Sequence, residues 1–264
     1  MLDLISVNKS FNIGTVNEKH VLRNLNLHID DGDFITVIGG NGAGKSTMLN
    51  VICGAYIPES GKIILDKTDI TYFSEWQRAK FLGRVFQDPM MGTAPNMQIE
   101  ENLALAFRRT KRRGLSWGIT EREKEIYHTS LAKLGLGLEN RMTSKVGLLS
   151  GGQRQAVTLL MATIQRPRLL LLDEHTAALD PKTAAKVLEL TNEIVTQNNL
   201  TTIMITHNMK DAINIGNRLI MMHEGHIIYE VSGEEKRNLQ VSDLLKKFEE
   251  ASNGEFANDR MMLS

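Results

Sequence analysis

Apolar and polar positions alternate over residues 2–7, the pattern of a strand with one buried face. Val21, Leu25, Leu27 and Ile29 mark a second strand over Val21–Ile29. Asp30-Asp31-Gly32-Asp33 is a turn, and Phe34-Ile35-Thr36-Val37-Ile38 is a short β-branched run behind it. Helical spacing starts at Gly44, with Met48, Leu49 and Ile52 on one face, and stops at Gly54. Pro58-Glu59-Ser60-Gly61 reads as a tight turn opening a hairpin-like pair around Lys62–Leu65. From about 88 to 165 strand signals thin out and helical segments take over, at Ile99–Arg109 and Thr120–Leu134. In the second of these, Ile126, Leu131 and Leu134 make an incomplete apolar stripe. Arg168–Leu172 and Thr201–Thr206 read as buried strands flanking an amphipathic helix at Pro181–Gln197. Strand, helix, strand at this spacing implies βαβ units and a parallel sheet. Leu244, Leu245 and Phe248 place a short helix from Ser242, and Ala251–Ser264 reads as a loose tail.

The pattern predicts an α/β fold: a parallel-sheet core, β-structure within residues 1–70, and a helical insert at about 88–165. A length of 264 residues and a hydrophobic content of 42% suit one large domain, or a core with a smaller subdomain. Lys+Arg and Asp+Glu both number 31, so no net field draws nucleic acid or an anionic membrane to the chain. The one cysteine, Cys53, excludes an intramolecular disulfide and fits a reducing compartment. Met1-Leu2-Asp3-Leu4 lacks the features of a signal peptide, and no apolar run approaches the ~20 residues a bilayer requires. A membrane role is therefore expected only through a partner.

The chemistry begins at Gly39-Gly40-Asn41-Gly42-Ala43-Gly44-Lys45-Ser46-Thr47, which fits G-x-x-x-x-G-K-[ST] between a predicted strand and helix. Glycines let backbone N–H groups wrap a triphosphate, and the following helix adds its positive end. Lys45 should reach the β/γ oxygens, Ser46 should ligate Mg²⁺, and Thr47 should lie near the α-phosphate. Leu169-Leu170-Leu171-Leu172-Asp173-Glu174 is a buried strand ending in two acids. In an open parallel sheet that end faces the ligand crevice. Asp173 then suits the magnesium shell, and Glu174 suits general-base activation of water. His207 follows another buried strand; it is either a hydrogen-bonded core residue or a contact for a γ-phosphate oxygen. Gln87, in Val85-Phe86-Gln87-Asp88-Pro89, is either a turn residue or a sensor of Mg²⁺ and water at the edge of the insert.

With Leu149-Ser150-Gly151-Gly152-Gln153 added, the chain resembles the ATP-binding subunits of the ABC transporter family over about residues 2–230. The phosphate loop, Gln87, the Leu-Ser-Gly-Gly-Gln signature, the acids 173–174 and His207 occur in the family's order. The resemblance implies a P-loop NTPase (RecA-like) core with an antiparallel β-subdomain and an inserted α-helical subdomain. The nucleotide-binding domain is expected over 1–250, with the helical subdomain at about 88–165 and a disordered tail at 251–264. It implies that Ser150, Gly151, Gly152 and Gln153 meet the nucleotide of a second subunit, and that Asp180, in Ala178-Leu179-Asp180, lies in the loop crossing the dimer interface. Phe11 stands where the family stacks an aromatic on adenine, although a strand-edge core residue would look the same.

Three departures stand out. Gly40 replaces the proline usual after the first loop glycine, His175 replaces the proline usual after the glutamate, and Ala156–Met161 lacks the arginine common in that helix. The expectation for His175 is a modest kinetic effect, through backbone freedom or a hydrogen bond near Glu174. Arg108, Arg109, Lys111, Arg112 and Arg113, with Trp117, form a basic run that is either a solvated helix end or a contact with lipid head groups or a permease loop. Met90, Met91 and Met97 suit a groove for a partner helix.

The resemblance implies an ATPase using ATP and Mg²⁺, as a homodimer or with a homologous ATPase subunit, on the cytoplasmic face of the membrane. Permease subunits and a solute-binding protein complete the implied importer, with no nucleic acid, and the solute is expected to be amino-acid-like. The alternatives are a soluble ABC ATPase acting on nucleic acid or ribosomes, and a kinase sharing only the phosphate loop. Tandem cassettes, long coiled-coil insertions and zinc cysteines, which would favour the former, are missing from the sequence. The signature segment has no purpose in the latter.

Overall fold

The computed structural model describes residues 1–109 and 118–251. Lys111, Arg112, Arg113 and Trp117 of the basic run, and the tail beyond Ala251, lie outside them. The chain forms two compact units, Met1–Ala79 with the chain from Leu200 onward, and Lys80–Asn199.

The first unit opens with β1 (Leu2–Phe11), β2 (Lys19–Ile29) and β3 (Phe34–Ile38), followed by α1 (Lys45–Cys53). Then come β4 (Ser60–Leu65), β5 (Thr68–Asp69) and a one-turn helix, α2 (Glu75–Arg78). An antiparallel sheet runs in the order β2-β1-β4-β5. The turn predicted at 58–61 comes later: Ser60 and Gly61 already belong to β4, because Asn8 pairs with Ser60 and Leu2 with Leu65. The chain reverses instead at Asp66 and Lys67, both at positive φ (49° and 67°). Arg78 ties the unit together. Its guanidinium is buried and donates to the carbonyls of Val51 (2.7 Å), Ile52 (2.8 Å), Thr71 (2.7 Å) and Phe73 (2.9 Å). The carbonyls of Val51 and Ile52, in the last turn of α1, thereby find donors.

The second unit holds β6 (Leu82–Val85), α3 (Ile99–Phe107), α4 (Glu121–Ala132), α5 (Gly151–Thr163), β7 (Leu169–Asp173) and α6 (Pro181–Asn198). β6 and β7 pair in parallel from Leu82↔Leu169 to Val85↔Leu172. Capping boxes start the helices: Gln98 with Glu101, Thr120 with Glu123, and Ser150 with Gln153. Leu103, Tyr127, Leu131, Val146, Ala156 and Val157 share one apolar core. Tyr127 and Leu131 are the fully buried residues of α4, whereas Ile126 packs against the core from its edge.

The chain then returns to the first unit with β8 (Thr202–Ile205), α7 (Met209–Asn214), β9 (Arg218–His223), β10 (His226–Ser232), α8 (Gly233–Arg237) and α9 (Val241–Ala251). β3 lies between β8 and β9 and is parallel to both, which confirms the expected parallel sheet, while β10 runs antiparallel to β9. All five β3 residues are buried, as a central strand covered on both faces requires. Leu244 and Phe248 of α9 pack with Leu219 and Met221 of β9.

Candidate functional site

The glycine loop leaves the carboxyl end of β3 and enters α1 through Gly44, whose φ of 100° is a left-handed conformation. A Cβ at Gly39 would collide with the carbonyl of Met222, so the loop lies directly on β9. The turn after β9 completes a clamp. Gly225 N–H donates to Ala43 O (3.0 Å), and Arg23 N–H donates to Gly225 O (3.2 Å). Lys45 is buried, its ammonium donating to Gly39 O (2.6 Å) and Gly40 O (3.1 Å), so it is drawn into the loop it serves. Asn41, Gly42 and Ser46 face solvent, Gly40 and Ala43 are buried, and Thr47 is half-buried.

β8 ends beside β3, where Thr206 N–H donates to Val37 O (3.2 Å), and His207 follows immediately, half-buried. The first unit thus brings His207 and the phosphate loop to the same ends of neighbouring parallel strands. Phe11 closes β1 half-buried, its ring edge-on to Tyr56 with centroids 5.1 Å apart. The Lys9 ammonium lies 5.4 Å from that ring and is paired with Glu59 (2.6 Å).

In the second unit Gln87 and the two acids leave adjacent parallel strands at the same end. Gln87 is exposed, two residues past β6; Asp173 ends β7 half-buried, and Glu174 follows with a φ of 47°. Asp173 Oδ2 lies 3.5 Å from the Arg84 guanidinium, which in turn sits 4.5 Å from the Phe86 ring. His175 turns into the interior. Its Nε2 is 3.0 Å from Thr191 Oγ1, and that hydroxyl donates to Val187 O (2.7 Å), so the imidazole must be the donor to Thr191. Burial lowers its pKa to about 4, which keeps the ring neutral near pH 7.

Ser150 caps α5, its hydroxyl accepting from Gln153 N–H (3.3 Å) while Ser150 N–H donates to Gln153 Oε1 (3.2 Å). Ser150 and Gly151 are exposed, whereas Gly152 is buried because a Cβ there would overlap Thr183 Cγ2. A Cβ at Gly151 would stand 3.1 Å from Leu179, so the signature segment packs on the loop that ends in Asp180. Asp180 caps α6 by accepting from Thr183 N–H (3.1 Å); its hydrogen bonds with Thr183 hold the carboxyl below its ordinary pKa. Arg154 donates to the carbonyls of Val146 (3.3 Å), Gly147 (3.0 Å) and Leu149 (2.9 Å), fixing the approach to the signature.

Mg²⁺ is usually held by one or two protein oxygens, with phosphates and water filling the remaining positions. Ser46 and Asp173 each offer an oxygen of that kind, and among the described residues no three His, Cys, Asp or Glu side chains form a metal cage. Ser46 and Asp173 are each a side chain of the kind that binds an ion bringing its own phosphate and water ligands. Arg84, Met222 and Gly225 carry no motif, because their roles come from contacts with chain segments remote in sequence, whereas Arg154 acts on carbonyls five to eight residues before it.

The model of the ABC transporter family matches residues 22–177. The chain is 45% identical over 251 residues to the "Tyrosine transport ATP-binding protein" of Clostridioides difficile, covering 95% of this chain and 100% of that protein. It is 33% identical over 250 residues to the spermidine/putrescine import ATP-binding protein PotA of Pasteurella multocida, covering 93% of this chain and 63% of that longer relative. Among solved structures, a dimeric ATP-binding cassette in a post-hydrolysis state bound to ADP and Pi aligns with a TM-score of 0.74 at 30% identity, covering 88% of this chain and 98% of that one. A nucleotide-free ATP-binding cassette aligns at 0.76 and 26% identity, covering 93% and 95%. With a P-loop NTPase fold and motifs in this order, the chain belongs to the ABC transporter family and is one of its ATP-binding, ATP-hydrolysing subunits.

Proposed function

We propose that two copies of this chain, or one copy and a homologue, close around two ATP molecules and drive uptake of an amino-acid-class solute through separate permease subunits. The observation that supports this reading is that one chain presents two separate glycine-bearing helix starts to solvent. One is the phosphate loop at 39–47; the other is the exposed start of α5 at Ser150 and Gly151, buttressed by the Asp180 loop. A second copy gives the latter a nucleotide to meet, so each ATP is contacted by loop 39–47 of one copy and segment 150–153 of the other.

In this reading Lys45 and the loop N–H groups hold the phosphates, while Ser46, Asp173 and Gln87 hold Mg²⁺. When bound, that ion draws charge from the β- and γ-phosphates. Glu174 takes the proton of the attacking water, His207 steadies the γ-phosphate and Phe11 meets the adenine. Loss of the γ-phosphate removes a contact made from both sides, and the pair reopens.

Among the described residues no helix is long and apolar enough to cross a membrane. In this reading the chain attaches through the permease, at the cytoplasmic face. A groove of about 630 Å³ lined by Met97, Glu100, Ala104, Leu105, Ile119 and Lys124, among others, suits a permease helix. Leu105 is half exposed (51%) beside it, and Met90 and Met91 are exposed earlier in the same unit. The amino-acid class rests on the 45% identity to the tyrosine transport relative. The test is reconstitution with a permease and a tyrosine-class solute-binding protein. Uptake of labelled tyrosine or a related amino acid, dependent on ATP, is expected; ATP hydrolysis unaffected by any amino acid-loaded binding protein would overturn the solute assignment.

A further inference from the structure

We propose that Lys19 is an additional nucleotide-binding residue, whose ammonium closes on the α- and β-phosphates of ATP from outside the phosphate loop. Lys19 opens β2 and pairs directly with Phe11 across the β1–β2 ladder. It reaches the glycine loop: its Nζ lies 3.6 Å from the point where a Cβ on Gly42 would stand. Both Lys19 and Gly42 are exposed, so the ammonium sits over the solvent face of the loop. Its place, between the strand end carrying Phe11 and the loop that wraps phosphate, corresponds to the inner phosphates of a nucleotide spanning the two.

The surrounding charges leave this ammonium available. Lys9 is taken up by Glu59 and the carbonyl of Ile57, and Lys45 by the carbonyls of Gly39 and Gly40. The neighbouring carboxylate, Glu18, is turned to Gly14 N–H (2.8 Å) and His20 Nε2 (3.3 Å). Among the described residues no carboxylate or carbonyl holds Lys19. A second cation beside Lys45 and the positive end of α1 is unfavourable in the empty protein, since cations are disfavoured at a helix N-terminus. An anion with several charges reverses that sign, and a charge-assisted hydrogen bond from Lys19 to phosphate adds to it.

The inference rests on the phosphate loop being the ATP site, and one experiment separates the two. Binding of fluorescent ATP and ADP analogues is measured for the full chain and for Lys19→Ala, Lys19→Glu, Lys19→Arg and Lys45→Ala. Lys19→Ala is expected to weaken both nucleotides about three- to tenfold, Lys19→Glu more, and Lys19→Arg least. The loss should shrink as salt is raised, because the ammonium is exposed. Wild-type affinity in both Lys19→Ala and Lys19→Glu overturns the proposal, and weakening of ATP alone overturns its assignment to the inner phosphates. If Lys45→Ala also binds normally, the ATP-site reading falls as well; if it loses binding, only the role of Lys19 does.

Discussion

His175 and Thr191 form a buried pair, imidazole Nε2 to hydroxyl Oγ1 at 3.0 Å, that ties the turn after Glu174 to the middle of α6. The residue before a proline is pushed out of the α region, so a proline at 175 would constrain Glu174, which sits at a φ of 47°. The departure from the family's proline therefore leaves Glu174 its left-handed turn and replaces ring rigidity with a side-chain tether. Thr191→Val strands the imidazole N–H and is expected to cost about 1–3 kcal/mol in urea unfolding, while Thr191→Ser keeps the bond and most of the stability. His175→Pro is expected to slow ATP turnover modestly; unchanged turnover would show that the tether does not position Glu174.

The same pair sets a pH dependence. An unfolded chain protonates His175 near 6.5, whereas burial holds the folded value at about 4. Between those values the unfolded state binds more protons, so stability is present above pH 6.5 and declines as pH falls toward 4, by on the order of 3 kcal/mol. His28 has the opposite sign. Hydrogen bonds to Asp3 and Asp30 raise its pKa, so its contribution is present at low pH and lost as pH rises through the raised value. Unfolding from pH 7 to 4 is expected to show a flatter profile for His175→Leu than for the wild type; identical profiles would contradict the assignment.

Gly152 leaves no room for a methyl group beside Thr183. Gly152→Ala should push the starts of α5 and α6 apart, lowering stability by about 1–3 kcal/mol and reducing ATP turnover. The colliding atom is Thr183 Cγ2, whereas Thr183 Cβ stands 3.6 Å from the added methyl. Thr183→Ala in the same chain is therefore expected to restore turnover to Gly152→Ala. A double variant no better than the single one would show that glycine is needed there for another reason.

What the sequence made legible is what is local. The apolar runs at Phe34–Ile38 and 169–172 became β3 and β7, and α3, α4 and α5 start at capping boxes written within four residues. β6 escaped because Leu82-Gly83-Arg84-Val85 carries two poor strand formers in four positions. Their reasons are tertiary: a Cβ at Gly83 would stand 2.6 Å from Ala162 O, and Arg84 lies against Asp173. β9 and β10 also passed unread, and with them the clamp of Gly225 on Ala43. Lys19 reaches Gly42 only through the register of a hairpin whose connection spans residues 12–18, a length no alternation rule resolves.

Glu174 is assigned the proton of the attacking water, so Glu174→Gln should retain ATP binding and lose hydrolysis by about two orders of magnitude or more. With ATP uncleaved the contact across the two copies persists, and the variant should elute as a dimer in ATP and as a monomer without it. Wild-type hydrolysis in Glu174→Gln would remove the role.

The completion of each ATP site by a second chain is tested most directly by specific ATPase activity as a function of protein concentration, at saturating ATP. The expected result is activity per molecule that rises with concentration and levels off as dimers form. Constant activity per molecule down to concentrations where the chain is demonstrably monomeric would contradict it.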